Sequence, residues 1–284
     1  MPQAADIRFM DRTVLVTGCS SGIGRATAKA FLDEEWTVYA TARDVGDLEV
    51  LEERGCYTAE LDVTEEDDVE RVVDRIVEEE GRIDCLVNNA GYGQHGPLED
   101  VPPDLLRRQF EVNTFGPVRL ARAVLPYMRE RGDGTVVNVS SVAGRIASPG
   151  VGAYSGSKFA LEGMSDALRN EVAGLGVDVV VVEPGPVETP FRDRVSTELE
   201  KLPRTDDYEF VYEMQEDATL VSGDSSPFAV TPEAVAETIL EAGVSTDPDP
   251  RYVVGGFAKA VLYTRFLPDR VRDSVFGIVR KLAG

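Results

Sequence analysis

The chain has 284 residues, 43% of them hydrophobic, and carries 51 acidic against 29 basic side chains for a formal net charge of −22 at pH 7. This length and apolar content suit a single α/β domain with a sizeable core, read here as residues 1–284, and the negative field excludes nucleic acid as a partner. No run of roughly eighteen uncharged apolar residues occurs, and Met1 to Phe9 lacks the basic-then-apolar order of a secretory leader, so no membrane partner is expected and the cytoplasm is the expected location.

Thr13-Val-Leu-Val-Thr17 is a short apolar strand that runs into Gly18-Cys19-Ser20-Ser21-Gly22-Ile23-Gly24, and an alanine-rich helical pattern follows from Arg25 to Glu34. Strand, glycine turn and helix together cradle a pyrophosphate, because glycines admit it close to backbone N–H groups at a positive helix end. Thr37 to Thr41 is the second strand, whose end should meet the adenosine ribose. An acid there would favour NAD through the 2′-hydroxyl, but this chain has Ala42 and then Arg43, which fits the 2′-phosphate of NADP; NAD is the alternative. Ser20 and Ser21 add hydroxyl donors. Tyr57 to Leu61, ending in Asp62-Val63, makes a third strand, and Asp84 to Val87 leads into Asn88-Asn89-Ala90-Gly91 as a fourth.

A helical stretch from Asp104 to Arg129 contains Asn113, a kink or turn residue just before Gly116-Pro117. Thr135 to Ser140 reads as a buried strand, so Ser141 sits where it ends; a helical run follows from about Ala153 to Val172, and Val177 to Val182 is another strand. An open parallel sheet binds its ligand beyond the carboxyl ends of its strands, where Gly18, Arg43, Asp62, Asn89, Ser141 and Pro184 converge. Tyr154 and Lys158 are four residues apart and share one helix face. A phenol titrates near pH 10, but an ammonium about 4 Å away at an effective dielectric near 20 is worth about 4 kcal/mol, which would bring Tyr154 toward its working range. Cys19, Cys56 and Cys85 are odd in number without C-x-x-C spacing, and read as reduced packing residues. His95 is the only histidine, so neither a serine–histidine triad nor a metal site is expected.

Thr17-Gly-x-x-x-Gly-x-Gly24, Asn88-Asn-Ala-Gly91, Asn113, Ser141, Tyr154-x-x-x-Lys158 and Pro184-Gly-Pro-Val-Glu-Thr189 together resemble the short-chain dehydrogenase/reductase family, in order and spacing. The resemblance covers roughly Arg12 to Pro190. It implies a doubly wound Rossmann fold with a seven-stranded parallel sheet and helices on both faces, completed by Val177 to Val182 and Arg251 to Val254. It also implies oxidoreduction of a hydroxyl or ketone with NADP(H). Tyr154 would be the general acid or base, Ser141 the hydrogen bond to the substrate oxygen, Lys158 the group that tunes Tyr154 and holds the nicotinamide ribose, and Asn113 the anchor of a relay water. The implied cofactor set is Gly18, Ser20, Ser21, Gly22, Ile23, Gly24, Arg43, Asp62, Val63, Asn89, Ala90, Gly91, Tyr154, Lys158, Pro184, Gly185, Val187 and Thr189. Family members commonly pair as homodimers or homotetramers through the helices that here would be Asp104 to Arg129 and Ala153 to Val172. Two rival readings are a dinucleotide-sensing binding protein on the same fold, and a ketoreductase acting on acyl-carrier thioesters. The first could dispense with Ser141, Tyr154 or Lys158; the second would need a basic entrance.

Residues 190–228 are expected to form a substrate-covering loop, with Phe191, Val195, Leu199, Leu202, Tyr208, Phe210, Val211, Tyr212, Met214 and Leu220 as its apolar contacts. That, with the similarity of Gly-Cys-Ser-Ser-Gly and Tyr-Ala-Thr-Ala-Arg-Asp to hydroxysteroid and retinol dehydrogenases, suggests a sizeable apolar alcohol or ketone. The tail, 251–284, is basic: Arg251, Lys259, Arg265, Arg270, Arg272, Arg280 and Lys281 face only Asp269 and Asp273. Beyond Pro268, Val271, Val275, Ile278, Val279 and Leu282 recur at helical spacing, a helix expected to dock near the substrate mouth or a neighbouring subunit. The rest of the surface is acidic, and the whole chain has only five lysines, Lys29, Lys158, Lys201, Lys259 and Lys281, a pattern that resembles proteins of salt-loving archaea.

Overall fold

The structure, a computed structural model, describes residues 12–221 and 228–274, and only the backbone of 217–221. Strand and helix alternate from the start: β1 (Thr13–Thr17), α1 (Gly22–Asp33), β2 (Thr37–Ala42), the short α2 (Glu49–Glu52), β3 (Tyr57–Glu60), α3 (Glu66–Glu80) and β4 (Cys85–Asn88). The second half continues with α4 (Pro103–Phe110), α5 (Gly116–Arg131), β5 (Gly134–Val139), α6 (Gly152–Glu171) and β6 (Val177–Pro184). It ends with α7 (Phe191–Leu199), α8 (Glu209–Val221), α9 (Pro232–Val244), β7 (Arg251–Val254) and α10 (Gly256–Tyr263). All seven strands pair in parallel, in the order β3-β2-β1-β4-β5-β6-β7. The order reverses between β1 and β4, which is where such a sheet opens a ligand crevice.

Both faces of the sheet are covered, so its central strands are apolar throughout rather than alternating. Val14 and Val16 of β1 point into one core, with Phe31 of α1 and Val235 and Ile239 of α9, while Leu15 between them joins the opposite core with Val72 and Ile76 of α3 and Leu120 and Val124 of α5. A third, smaller cluster of Val101, Ala153, Leu199, Leu202 and Tyr212 lies under α7 and α8. Asp84 fixes the register at the switch point: its carboxylate accepts the Thr13 N–H at 2.8 Å and pairs with Arg82 and Arg131. The cysteines are buried, as expected, and burial pushes the Cys19 thiol up to about 12 and Cys56 up to about 11.

Two expectations need correction. The stretch Asp104 to Arg129 is not one helix, because Glu111–Phe115 forms a π-helical turn between α4 and α5. Such an insertion leaves apolar periodicity nearly intact yet rotates the chain, and here it turns Asn113 and Thr114 inward onto α6. The expected substrate-covering loop at 190–228 is not irregular among its described residues, since α7 and α8 form within it. The Leu220 side chain, and Val275, Ile278, Val279 and Leu282 of the tail, lie outside the described residues.

Candidate active site

A cavity of about 1080 Å³ opens at the carboxyl ends of the strands and runs from the glycine turn to α7 and α8. At one end Gly18 (φ +73°) and Gly22 (φ +54°) take left-handed backbone, and a Cβ on either would come within 3 Å of Ala90 Cα or Thr189 Cγ2 respectively. Gly24 does not line the cavity; its hydrogen lets α1 pack on the Gly18 carbonyl, 2.3 Å from where a Cβ would stand. The turn is held from beside it. Thr17 Oγ1 accepts the N–H groups of Asn89 and Ala90, each at 3.0 Å, and Asn89 Nδ2 donates to the Thr17 carbonyl at 2.8 Å.

Ser21 makes no side-chain capping bond, so nothing of its own satisfies the first N–H groups of α1. Arg43 is exposed at the end of β2 and lines the same cavity with Ser20, Ser21, Gly22 and Ile23. The Arg194 guanidinium, 3.3 Å from Ser21 Oγ, adds a second positive charge there. Asp62 and Val63 form the wall, Asp62 Oδ1 accepting the Thr64 N–H at 2.9 Å. A glycine cradle, a bare helix N-terminus and two guanidinium groups fit a dinucleotide bearing an extra phosphate.

At the other end the structure brings Ser141, Tyr154 and Lys158 together with Asn89, Ala90, Gly91, Pro184, Gly185, Val187 and Thr189. Ser141 is N-terminal to a short turn, and its Oγ accepts the Ala143 N–H at 3.1 Å. Lys158 Nζ, 6.0 Å from the Tyr154 ring centroid, donates to the Val139 carbonyl at 2.8 Å. Burial pushes the Tyr154 phenol up to about 12, against the Ser141 hydrogen bond, and pushes the Lys158 ammonium down to about 8, against the attraction of Glu162. The expectation that Lys158 dominates the phenol and lowers it is therefore corrected. Burial sets the direction for the phenol, and the Lys158 ammonium is engaged with a backbone carbonyl.

Asn113 is buried and does not line the cavity. Its Oδ1 accepts the Tyr92 N–H at 3.1 Å and its Nδ2 donates to the Tyr92 carbonyl at 2.9 Å, so it clamps the loop after β4. The same π turn docks on α6 through Thr114 Oγ1, which donates to the Ser157 carbonyl at 2.9 Å, between Tyr154 and Lys158.

Several lining residues carry no role in the sequence reading: Tyr92, Glu198, Gln215 and Phe257, together with His95, which enters it only as a triad or metal residue. His95 and Phe191 flank Tyr154, each with its ring centroid 5.8 Å away. The one signal for His95 was its place four residues beyond Gly91; Glu198 and Gln215 carry no local signal, because helices far along the chain bring them there. Phe257, at the start of α10, also lines the cavity; most of the helix expected beyond Pro268 lies outside the described residues.

Comparison with known proteins agrees with this geometry. Residues 12–200 match the short chain dehydrogenase family. The chain is 35% identical over 277 residues to the NADPH-dependent 3-dehydrocapnine reductase of Ornithobacterium rhinotracheale, covering 93% of this chain and 96% of that one. It is 38% identical over 259 residues to human 17-beta-hydroxysteroid dehydrogenase type 1, covering 86% of this chain and 77% of the relative. The crystal structure of a short-chain dehydrogenase from Streptomyces avermitilis superposes with a TM-score of 0.79 at 35% identity, covering 95% of this chain and 97% of that one.

Proposed function

Since this chain belongs to the short-chain dehydrogenase/reductase family and is an NAD(P)-dependent oxidoreductase, we propose that it interconverts a secondary alcohol and a ketone, or an alcohol and an aldehyde, on an apolar substrate. The observation that carries this reading is the meeting of the glycine cradle with Ser141, Tyr154 and Lys158 in one cavity. A binding protein that only senses the dinucleotide has no use for that trio. An acyl-carrier ketoreductase would need a basic entrance, which the charge balance disfavours.

NADP is the preferred cofactor on this reading, because Ala42 stands where an NAD enzyme has a carboxylate and Arg43 follows it, and the NADPH-dependent relative supports it. The apolar substrate is supported by Val142, Val151, Phe191, Val195 and Phe257 along the cavity and by the hydroxysteroid dehydrogenase among the relatives.

The nicotinamide, when bound, supplies or takes up the hydride. In reduction the Tyr154 phenol donates its proton to the carbonyl oxygen as that oxygen gains charge, and the Ser141 hydroxyl hydrogen-bonds the same oxygen. A phenol titrating near 12 keeps its proton at neutral pH and is suited to act as the acid. Lys158 sets a positive charge behind the phenol and is placed to hold the ribose. Asn113 acts one step back, fixing Tyr92 against the pocket. Phe191 and Val195 of α7 cover the site against water.

Reduction of a panel of ketones with NADPH tests the assignment. Tyr154→Phe should lose about 100-fold or more in turnover with every accepted substrate, the size of a general-acid contribution. Retention of more than a few per cent would sink it. Arg43→Ala should raise KM for NADPH and leave KM for NADH alone; unchanged KM for NADPH would remove the cofactor argument.

A further inference from the structure

His95 lies at the substrate end of the cavity, and no step above uses it. Its protonation is set by a chain of partners that allows one arrangement. The Pro149 carbonyl can only accept, so Gln215 must offer its Nε2 to it, at 3.1 Å. That turns Gln215 Oε1 toward His95 Nδ1 at 2.9 Å, and an amide oxygen also only accepts. Nδ1 therefore carries the hydrogen. Gly150 makes room for it, since a Cβ there would come 2.7 Å from Gln215 Nε2.

Burial holds the imidazole well below its usual pKa, against the pull of Gln215, so the ring is neutral near pH 7. A neutral ring protonated at Nδ1 presents a bare lone pair at Nε2. That atom is buried and has no hydrogen-bond partner among the described residues, and the ring stands beside Tyr154. A second acceptor belongs to a residue lining the same cavity. Glu198 of α7 gives Oε1 to Lys201 at 2.8 Å, while its Oε2 is buried without a partner among the described residues. Tyr92 OH, a third unpartnered atom there, can donate or accept and does not decide the matter.

Buried acceptors left without a donor are costly, and the two residues that carry these line a cavity that a substrate fills. From these acceptors, and on the reading that Tyr154 protonates a carbonyl in this cavity, we infer that the substrate carries a hydrogen-bond donor close to that carbonyl. His95 Nε2 receives the donor and makes His95 a specificity-determining residue. A hydroxyl or a protonated amine satisfies the imidazole; Glu198 favours the amine.

The test is the NADPH-dependent reduction of three ketones of equal alkyl length, one plain, one α-hydroxylated and one α-aminated, with kcat/KM read for each. The wild-type protein should favour both donor-bearing ketones over the plain one by about 10-fold or more, as sites built around a polar partner do. His95→Phe, or Gln215→Leu should that variant fail to fold, should bring the ratios toward one. Glu198→Gln should reduce the ratio for the amine and spare that for the hydroxyl. Equal treatment of the three ketones by wild type, or ratios that survive both His95→Phe and Gln215→Leu, overturns the inference and leaves ketone reduction standing. Turnover of none of the three while NADPH still binds overturns the ketone reading itself, and this inference with it.

Discussion

Lys158 is held by opposed demands. It must be charged to act on the phenol, yet it is buried, and burial brings its pKa down to about 8. Glu162, one helical turn further along α6 and also buried, acts against that. Arg251 Nε holds Glu162 in place at 3.2 Å and reaches Glu183 at the same distance, and Arg145 closes the group on Glu183 at 2.6 Å. The pH dependence follows in sign. Tyr154 stays protonated well above neutrality, so reduction should be level from about pH 6 to 8 and fall above 8 as Lys158 loses its proton. Oxidation needs the phenolate and should climb with pH, toward tenfold per unit while the phenol is largely protonated. Glu162→Gln removes the one charge that supports the ammonium and should move the alkaline fall of reduction to lower pH. Profiles of kcat for both directions check this, and a limb that stays put in Glu162→Gln would remove Glu162 from the account.

Among the elements, strands are the most legible, because several are short apolar runs that lead into a glycine, asparagine or serine on the ligand side, as β1 does at Gly18, β4 at Asn88 and β5 at Ser140. Thr13 to Thr17 and Arg251 to Val254 were placed to the residue. Helix breaks were read less well. The π turn at Glu111–Phe115 has no compositional signal, since one added residue shifts the phase of a helix without changing its composition. The covering helices α7 and α8 were hidden by acids that interleave their apolar positions, and their cavity face appears only once the loop 92–96 packs on them. Gly93 shows that packing, a Cβ there falling 2.8 Å from Phe191 Cζ. The role of His95 depends on Gln215, which lies 120 residues away. One further face supports a proposal: Phe115, Phe159 and Met164 are exposed on the π turn and α6. We propose that this face pairs two copies, giving a homodimer or homotetramer. Light scattering should then return a multiple of the 30.9 kDa chain, and Met164→Glu should lower that mass with the fold retained; a monomeric wild type would refute it.

Over the whole molecule the charge dominates. Helix α3 alone shows Glu66, Asp67, Glu70, Asp74, Glu78 and Glu79 to solvent, and only part of this acidity is paired. Like charges at this density repel, and molar salt, with a Debye length of about 3 Å, removes most of that repulsion. We propose that the surface is adapted to high salt. The Tm should rise steeply as KCl goes from dilute to molar; a flat response would reject the adaptation. The buried thiols have a separate use. Cys19 lies in the glycine turn and Cys85 at the base of β4, both sealed, so a thiol reagent reaches either one only when that region opens. Each sulfur is then a native clock for its own neighbourhood. Labelling without denaturant would time the breathing of the dinucleotide turn apart from that of the central sheet, with no probe introduced.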